Sequence, residues 1–360
     1  MQRLAALKRV AFDEADFDGY LIFNPSNLIY FTGLPGNVSL LVPRDGEATI
    51  HVYSVNYEQA RNEAKGFRVE QVKRGEDLMA KIAAQVKKAG IKNLALDVLG
   101  VEAWRSLKRK MRGEASLKVK PTFVSQLRAV KDEAEIMLMR KAGELTSIGM
   151  ETAYEVVRAG LSEIEVAAEI EYAMRKHGSY GTAFDTAVSS GPASAFPHGG
   201  CTEREIRTGE LVVVDFGAVY QAYRSDMTRT LVVGKPSDKQ VKLHAIVKKA
   251  QEEAFAVIKP NAKTRDVDAV ARGIIEEAGY GECFVHGLGH GVGLDIHEPP
   301  TLNSPSKERL QVGNVVTDEP GIYISNYGGV RIEDTVLVLK DGAEKLTKGP
   351  YELGRQCQAK

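Results

Sequence analysis

Two stretches of this chain carry carboxylates in pairs inside β-rich runs. The first is Leu211-Val-Val-Val-Asp215-Phe-Gly, followed after a short centre by Ser225-Asp226-Met-Thr-Arg-Thr-Leu-Val-Val233. A hairpin turning near Tyr220-Gln221 sets Asp215 opposite Asp226. Side chains directly opposed in an antiparallel pair have Cβ atoms about 4.5–5.5 Å apart, where like charges repel, and Asp is depleted in strands. A divalent cation compensates such a pair; the plainer alternative is two solvent-facing carboxylates at strand ends. The second stretch repeats the geometry. Val315-Val-Thr-Asp-Glu319 and Gly329-Val-Arg331-Ile-Glu333 flank a turn at Ser325 to Gly328, so Glu319 faces Glu333. Asp318 and Asp334 compete for the same role, but alternation along a strand points them to the opposite faces.

Imidazoles form the third feature. Three of the seven histidines fall in His286-Gly-Leu-Gly-His290-Gly-Val-Gly-Leu-Asp-Ile-His297-Glu298, where the glycines permit close backbone approach. The plain reading is a Gly-rich bend with surface histidines. Phe196-Pro197-His198-Gly199-Gly200 is a weaker fourth piece, after a loop at Ser189 to Pro192. His51, His177 and His244 lack such context and are read as surface or packing residues. Four carboxylates with an imidazole and no thiolate form a hard ligand set. It suits a dinuclear Mn²⁺, Co²⁺, Fe²⁺ or Zn²⁺ centre better than structural zinc. Two such ions roughly 3.5–4 Å apart share a water, lower its pKa and polarise a carbonyl. The chemistry implied is hydrolysis of an amide or related bond.

The elements that must position these groups follow from the pattern. Helices are expected from Asp132 to about Arg158, from the Ser162–Glu165 capping box to Gly178, from Ser237 to before Pro260, and from a Thr264 cap to near Gly279. Strand-rich segments lie at 183–189, 210–233, 283–287, 314–324 and 328–340. Two carboxylate-paired hairpins in one domain suggest a pseudo-two-fold architecture with a shared centre. Ahead of a boundary near Pro121 to Lys131, strands at 19–23, 38–42, 48–52 and 93–98 alternate with helical stretches. That is an α/β unit of residues 1–122, followed by a catalytic unit of residues 128–360.

Composition narrows the class. The 360 residues balance 48 basic against 48 acidic side chains, so no global field draws the chain to nucleic acid or an anionic membrane. No run reaches the 18 or so apolar residues of a membrane span, and the first residues lack a secretory apolar core. Cys201, Cys283 and Cys357, odd in number and far apart, suit a reducing compartment. A soluble, cytoplasmic protein is expected.

Taken together, Val214-Asp215-Phe-Gly, Ser225-Asp226-Met-Thr-Arg-Thr230, His286-Gly-Leu-Gly-His290-Gly-Val-Gly, His297-Glu298, Glu319-Pro-Gly-Ile-Tyr323 and Gly329-Val-Arg331-Ile-Glu333-Asp-Thr335 resemble the pita-bread metallopeptidases. That family includes methionine aminopeptidases, aminopeptidase P and Xaa-Pro dipeptidases (prolidases). The resemblance spans about 125–345, and residues 1–122 look like the smaller N-terminal α/β domain of the proline-specific branch. Methionine aminopeptidases generally lack that domain. The fold class implied is α+β, a pita-bread (creatinase/aminopeptidase) catalytic domain behind an α/β domain.

The resemblance also implies roles. Asp215 would bind one metal through both oxygens, Asp226 and Glu333 would bridge two metals, and His290 and Glu319 would bind the second. Glu319 would be the general base for a bridging hydroxide that attacks the scissile carbonyl. His198 and His297 would hold substrate and stabilise the tetrahedral intermediate; His286 and Arg331 would line the substrate pocket, with Tyr323 as a further donor. The cofactors implied are two divalent ions, Mn²⁺ or Co²⁺ ahead of Zn²⁺ or Fe²⁺. The substrate implied is a proline-containing di- or oligopeptide, and the assembly a homodimer. The leading activity is Xaa-Pro dipeptidase, with aminopeptidase P as the alternative. A non-catalytic binding module and a creatinase-like amidinohydrolase are remote, because both usually lose ligands that are complete here. Two departures stand out. Thr301 occupies a position where many prolidases carry an Arg for the substrate carboxylate, with Arg309 further on; and Asp318 replaces a more usual apolar residue.

Overall fold

Three of the four long helices begin on side chains that satisfy their own first turn. Asp132, Ser162 and Ser237 each accept from the backbone N–H three residues on, while Glu135, Glu165 and Gln240 reach back to the cap, closing reciprocal capping boxes. In the computed structural model, which describes residues 2–354, these start α7 (Glu133–Val156), α8 (Glu163–Lys176) and α9 (Asp238–Val257). The fourth, α10 (Thr264–Glu277), differs from expectation. Lys263 stands at its cap without a side-chain bond, and the Thr264 hydroxyl donates to Ser306 Oγ at 2.8 Å instead. Among the described residues no helix is long and apolar enough to cross a membrane. Cys201 and Cys283 are free thiols, and Cys357 lies outside the described residues.

The chain divides into two units between Arg128 and Ala129. The first holds β1 (Gly19–Ile22), β2 (Ser39–Pro43), β3 (Thr49–Tyr53), β4 (Arg68–Val72), β5 (Asn93–Leu96) and β6 (Ser116–Val119) in one sheet of order β4-β3-β2-β1-β5-β6. The β1–β2 and β2–β3 pairs are antiparallel; β3–β4, β1–β5 and β5–β6 are parallel. Helices α1 (Gln2–Lys8), α2 (Pro25–Thr32), α3 (Tyr57–Glu63), α4 (Leu78–Lys88) and α5 (Val101–Lys110) accompany it. Ile82, Val86 and Leu107 bury on Leu21, Leu41, Leu94 and Leu96. The stretch Pro121–Lys131, read as a boundary, is mostly helical: α6 runs Thr122–Ala129.

The second unit repeats one arrangement. Helices α7 and α8 share a core with β8 (Ala187–Ser190), β9 (Leu211–Phe216) and β12 (Met227–Val232), in the order β12-β9-β8. Short strands β7 (Gly181–Thr182), β10 (Ala218–Tyr220) and β11 (Tyr223–Arg224) extend that half. Helices α9 and α10 share another core with the sheet β14-β13-β15-β18-β19, formed by β13 (Gly289–Gly291), β14 (Glu298–Leu302), β15 (Val315–Asp318), β18 (Asp334–Leu339) and β19 (Gly342–Lys345). A hairpin of β16 (Gly321–Ile324) and β17 (Gly328–Arg331) continues from β15 and β18. The expected strand at 283–287 does not form. Gly281–Cys283 is a 3₁₀ turn, and the strand begins at Gly289, whose hydrogen faces the Thr317 carbonyl too closely for any side chain.

Candidate metal centre and substrate cavity

The register of β9 with β12 differs from the expected one by two residues. Asp215 opposes Thr228, because the turn centres on Gln221 and Ala222, both at positive φ (45° and 73°). A shift of two preserves the face, so Asp226 stays beside Asp215 as a diagonal neighbour. The residue facing Asp226 in this register is Gly217, where a Cβ would collide with the Ser225 carbonyl. In the other half, the β15–β18 and β16–β17 ladders share one register, pairing Asp318 with Asp334 and Gly321 with Arg331. That register sets Glu319 against Glu333 in the gap between them.

Two threonines tie the hairpins together, and a third joins His290 to Glu319. Thr335 Oγ1 donates to the Asp226 carbonyl at 2.8 Å and accepts from Asp226 N at 2.9 Å. Thr228 Oγ1 donates to Glu333 Oε2 at 2.5 Å and accepts from Arg331 Nε at 3.0 Å. Thr317 Oγ1 accepts from His290 N at 3.0 Å and donates to Glu319 Oε1 at 2.9 Å. Thr228, Thr317 and Thr335 each stand two residues from one of the acids, on β12, β15 and β18, but the sequence does not tell which acid each hydroxyl meets.

A cavity of about 570 Å³ collects the candidates. Asp215, Asp226, His286, His290, His297, His198, Glu319, Arg331 and Glu333 all line it. Tyr323 does not, but its hydroxyl lies 2.9 Å from His286 Nε2 and accepts from Arg331 Nη1 at 2.8 Å. Asp226, His290 and Glu333 each place one ligand atom within 4.8 Å of the others. His290 donates from Nδ1 to the Gly291 carbonyl at 3.0 Å, which leaves Nε2 to face Glu319 Oε1 at 3.3 Å and Asp226 Oδ2 at 3.7 Å. Asp215 Oδ1 and Glu333 Oε1 are buried without a hydrogen-bond partner. Orphaned carboxylate oxygens in a cluster of four acids are what a hard divalent cation would satisfy, so the residues fit such an ion.

The charges are far from balanced by protein groups. Burial, then Asp215, pushes the Asp226 carboxyl well above the usual range; burial, then Asp226, does the same to Glu333. Burial raises Asp215 too, against the Arg331 guanidinium, which meets it at 2.5 Å. Burial also drives Glu319 up, but the hydrogen bond and charge of His290, with His286 and Arg331, outweigh it and lower the group to about 2. Burial disfavours the charged His290, yet Glu319 and Asp226 raise it to about 9. Burial, with the neighbouring His290, lowers His297, whose ring centroid lies 4.2 Å from that of His290.

The remaining candidates separate cleanly. His198 sits in a loop whose two ends are clamped by the buried Glu163: one oxygen accepts from Ser190 N and Oγ, both at 2.7 Å, the other from Thr202 N and Oγ1 at 3.0 and 2.6 Å. Glu298 turns from the cavity and pairs with the buried Lys131 at 2.6 Å. Asp334 likewise faces away, bonded to Arg229, Lys345, Gln251 and Tyr351. Arg309 does not line the cavity; its Nη1 donates to the Asn261 carbonyl at 2.7 Å. Thr301 is held by Glu308. His51 is a core residue bonded to Ser39 and Gln85, and burial lowers it to about 4. Asn303, which no motif singled out, lines the cavity.

Residues 137–340 match the profile of metallopeptidase family M24, and residues 3–130 that of the creatinase/prolidase N-terminal domain. The chain is 40% identical to the Xaa-Pro dipeptidase of Pyrococcus furiosus over 343 residues, 95% of this chain and 96% of the relative. It superposes on the Xaa-Pro dipeptidase from Bacillus anthracis with a TM-score of 0.93 at 39% identity, covering 98% and 99% of the two chains. The X-Pro aminopeptidase from Thermotoga maritima gives 0.86 at 36% identity, covering 93% and 97%.

Proposed function

This chain belongs to metallopeptidase family M24, and from that premise we propose that it hydrolyses the Xaa-Pro peptide bond, acting as an Xaa-Pro dipeptidase. The observation that carries the reading is the single cavity in which Asp215, Asp226, His290, Glu319 and Glu333 meet with two buried carboxylate oxygens unpartnered. These five side chains would hold two divalent cations, Mn²⁺ or Co²⁺ being the first to test. When bound there, the cations would activate a water and polarise the scissile carbonyl.

The chain's own groups do the rest. Glu319 accepts the proton that the attacking water gives up. His198 and His297 donate hydrogen bonds to the carbonyl oxygen as it gains negative charge. Arg331 and Tyr323 hold the His286 wall and the Asp215 carboxylate in place. A proline after the scissile bond leaves a tertiary amide without N–H, so its selection falls to cavity shape rather than to a donor on the leaving nitrogen. Aminopeptidase P activity is the second reading. It is favoured by the similarity to the X-Pro aminopeptidase and by the neutral Thr301.

The test is paired cleavage of an Xaa-Pro dipeptide and the matching Xaa-Pro-Xaa tripeptide, with Mn²⁺ or Co²⁺. Proline released mainly from the dipeptide supports the first reading; the N-terminal residue released mainly from the tripeptide supports the second. Asp226→Ala is expected to lower kcat/KM at least ~1,000-fold, and full activity in that variant after metal stripping sinks both. The homodimer expected from the family is checked by light scattering at micromolar concentration.

A further inference from the structure

We propose that Asn303 determines specificity by receiving the carboxyl end of the bound peptide through its side-chain amide; this rests on reading the cavity as an Xaa-Pro peptide site. The cavity wall offers a substrate carboxylate little else. Arg331 is the one Lys or Arg among the described residues lining it, and all three of its nitrogens are committed: to Asp215, to Thr228, and to Tyr323 with the Pro197 carbonyl. His286 is engaged by Tyr323 and Gly287. His198 and His297 are assigned above to the scissile carbonyl, and the His297 ring packs against that of His290 in the acid cluster.

Asn303 stands apart from that cluster. It packs on Gly287, where an added Cβ would come within 2.8 Å of its own Cβ. Its Oδ1 is buried without a hydrogen-bond partner. With the amide turned over, its Nδ2 takes that place, and a buried donor without a partner faces a ligand that can only accept. The residue is also fixed in place. Its carbonyl accepts from Ser306 N at 3.1 Å. Next to it, Ser304 Oγ donates to Asp268 Oδ2 at 3.0 Å, and Asp268 Oδ1 accepts from Leu288 N at 2.9 Å. One buried carboxylate thus ties the Asn303 loop to the segment carrying His286 and Gly287.

Charge decides which end of a peptide comes here. The ammonium finds a carboxylate acceptor outside the acid cluster in Asp185, which also lines the cavity, whereas the carboxyl end finds no uncommitted Lys or Arg in the wall and needs a neutral donor. A neutral amide donates to a free carboxylate and to an amide carbonyl alike. Recognition at Asn303 therefore favours the dipeptide only modestly, unlike recognition by a guanidinium.

Steady-state kinetics of the Mn²⁺-loaded protein on an Xaa-Pro dipeptide and its C-terminal amide, Xaa-Pro-NH₂, provide the test. Asn303→Ala is expected to raise KM roughly 10- to 100-fold for the dipeptide and roughly 2- to 10-fold for the amide, with kcat within about threefold. Asn303→Asp, nearly isosteric, is expected to raise KM for the dipeptide at least about tenfold more than for the amide, because it opposes one carboxylate with another. Unchanged thermal midpoints and Mn²⁺ binding would show both variants folded. Unaltered KM values, or a fall in kcat alone, overturn the assignment while leaving the peptidase reading intact. Wild-type protein that cleaves neither substrate overturns both.

Discussion

The Arg331 guanidinium meets Asp215 Oδ2 at 2.5 Å while its Nε donates to Thr228 Oγ1 and lies 4.0 Å from Glu333 Oε2. One buried cation thus offsets acids from both hairpins. Removing one partner of such a pair leaves the other charge buried and unpaired, at a cost of about 3–5 kcal/mol. Arg331→Ala is therefore expected to lower the unfolding midpoint of metal-free protein by several degrees. Added Mn²⁺ should restore much of the loss by supplying positive charge to the same carboxylates, while kcat/KM stays reduced. Calorimetry with and without Mn²⁺ checks this, and a metal-free variant as stable as the wild type would refute it.

On the proposed ligand set, His290 would make cation binding pH-dependent. Its contacts with Glu319 and Asp226 raise it to about 9 in the metal-free protein, so the imidazole is charged at pH 7. A metal ligand must be neutral, and binding therefore expels a proton. Apparent Mn²⁺ affinity is expected to rise with pH until about pH 9 and then level off. Titration calorimetry at pH 7.5 in buffers of different ionisation enthalpy should report release of about one proton or more per chain. His290→Gln should release about one fewer, and an equal release would overturn the assignment.

Much of the catalytic unit was legible because its signals are local. Asp132, Ser162 and Ser237 cap helices with residues three positions away, a pattern that needs no tertiary knowledge. The Glu319–Glu333 register followed from a short turn. The Asp215–Asp226 register did not, because Gln221 and Ala222 adopt positive φ without a glycine to announce it. β14 was hidden by Pro299-Pro300, residues that disfavour a central strand and here sit at the sheet's edge. Thr264 failed as a cap because its hydroxyl has a better partner 42 residues away. The same distance effect conceals Glu163, Thr228 and Asn303: each acquires its role from contacts that only the folded chain creates. The family resemblance supplied residue roles that the motifs alone left open.

Asp318 is the acid for which the fold finds no use. It is fully buried, both its oxygens lack partners, and the ladder sets it directly opposite Asp334, which takes the cations Arg229 and Lys345. Burial pushes its carboxyl well above the usual range; Lys345 opposes this, while Asp334 and Glu319 add to it. The folded chain thus holds this proton to higher pH than the unfolded chain does. Its contribution to stability accordingly falls as pH rises from about 4, the unfolded value, through the raised folded value, and is constant above that. Replacing the group removes this penalty. Asp318→Val, which also suits a strand, is expected to stabilise metal-free protein at pH 7 by about 1–3 kcal/mol, a rise of a few degrees. The advantage should shrink toward pH 4.5, where the wild-type carboxyl is neutral in the fold. Thermal unfolding of both proteins at the two pH values decides the matter: a variant less stable than wild type at pH 7 would mean that Asp318 has a partner in solution.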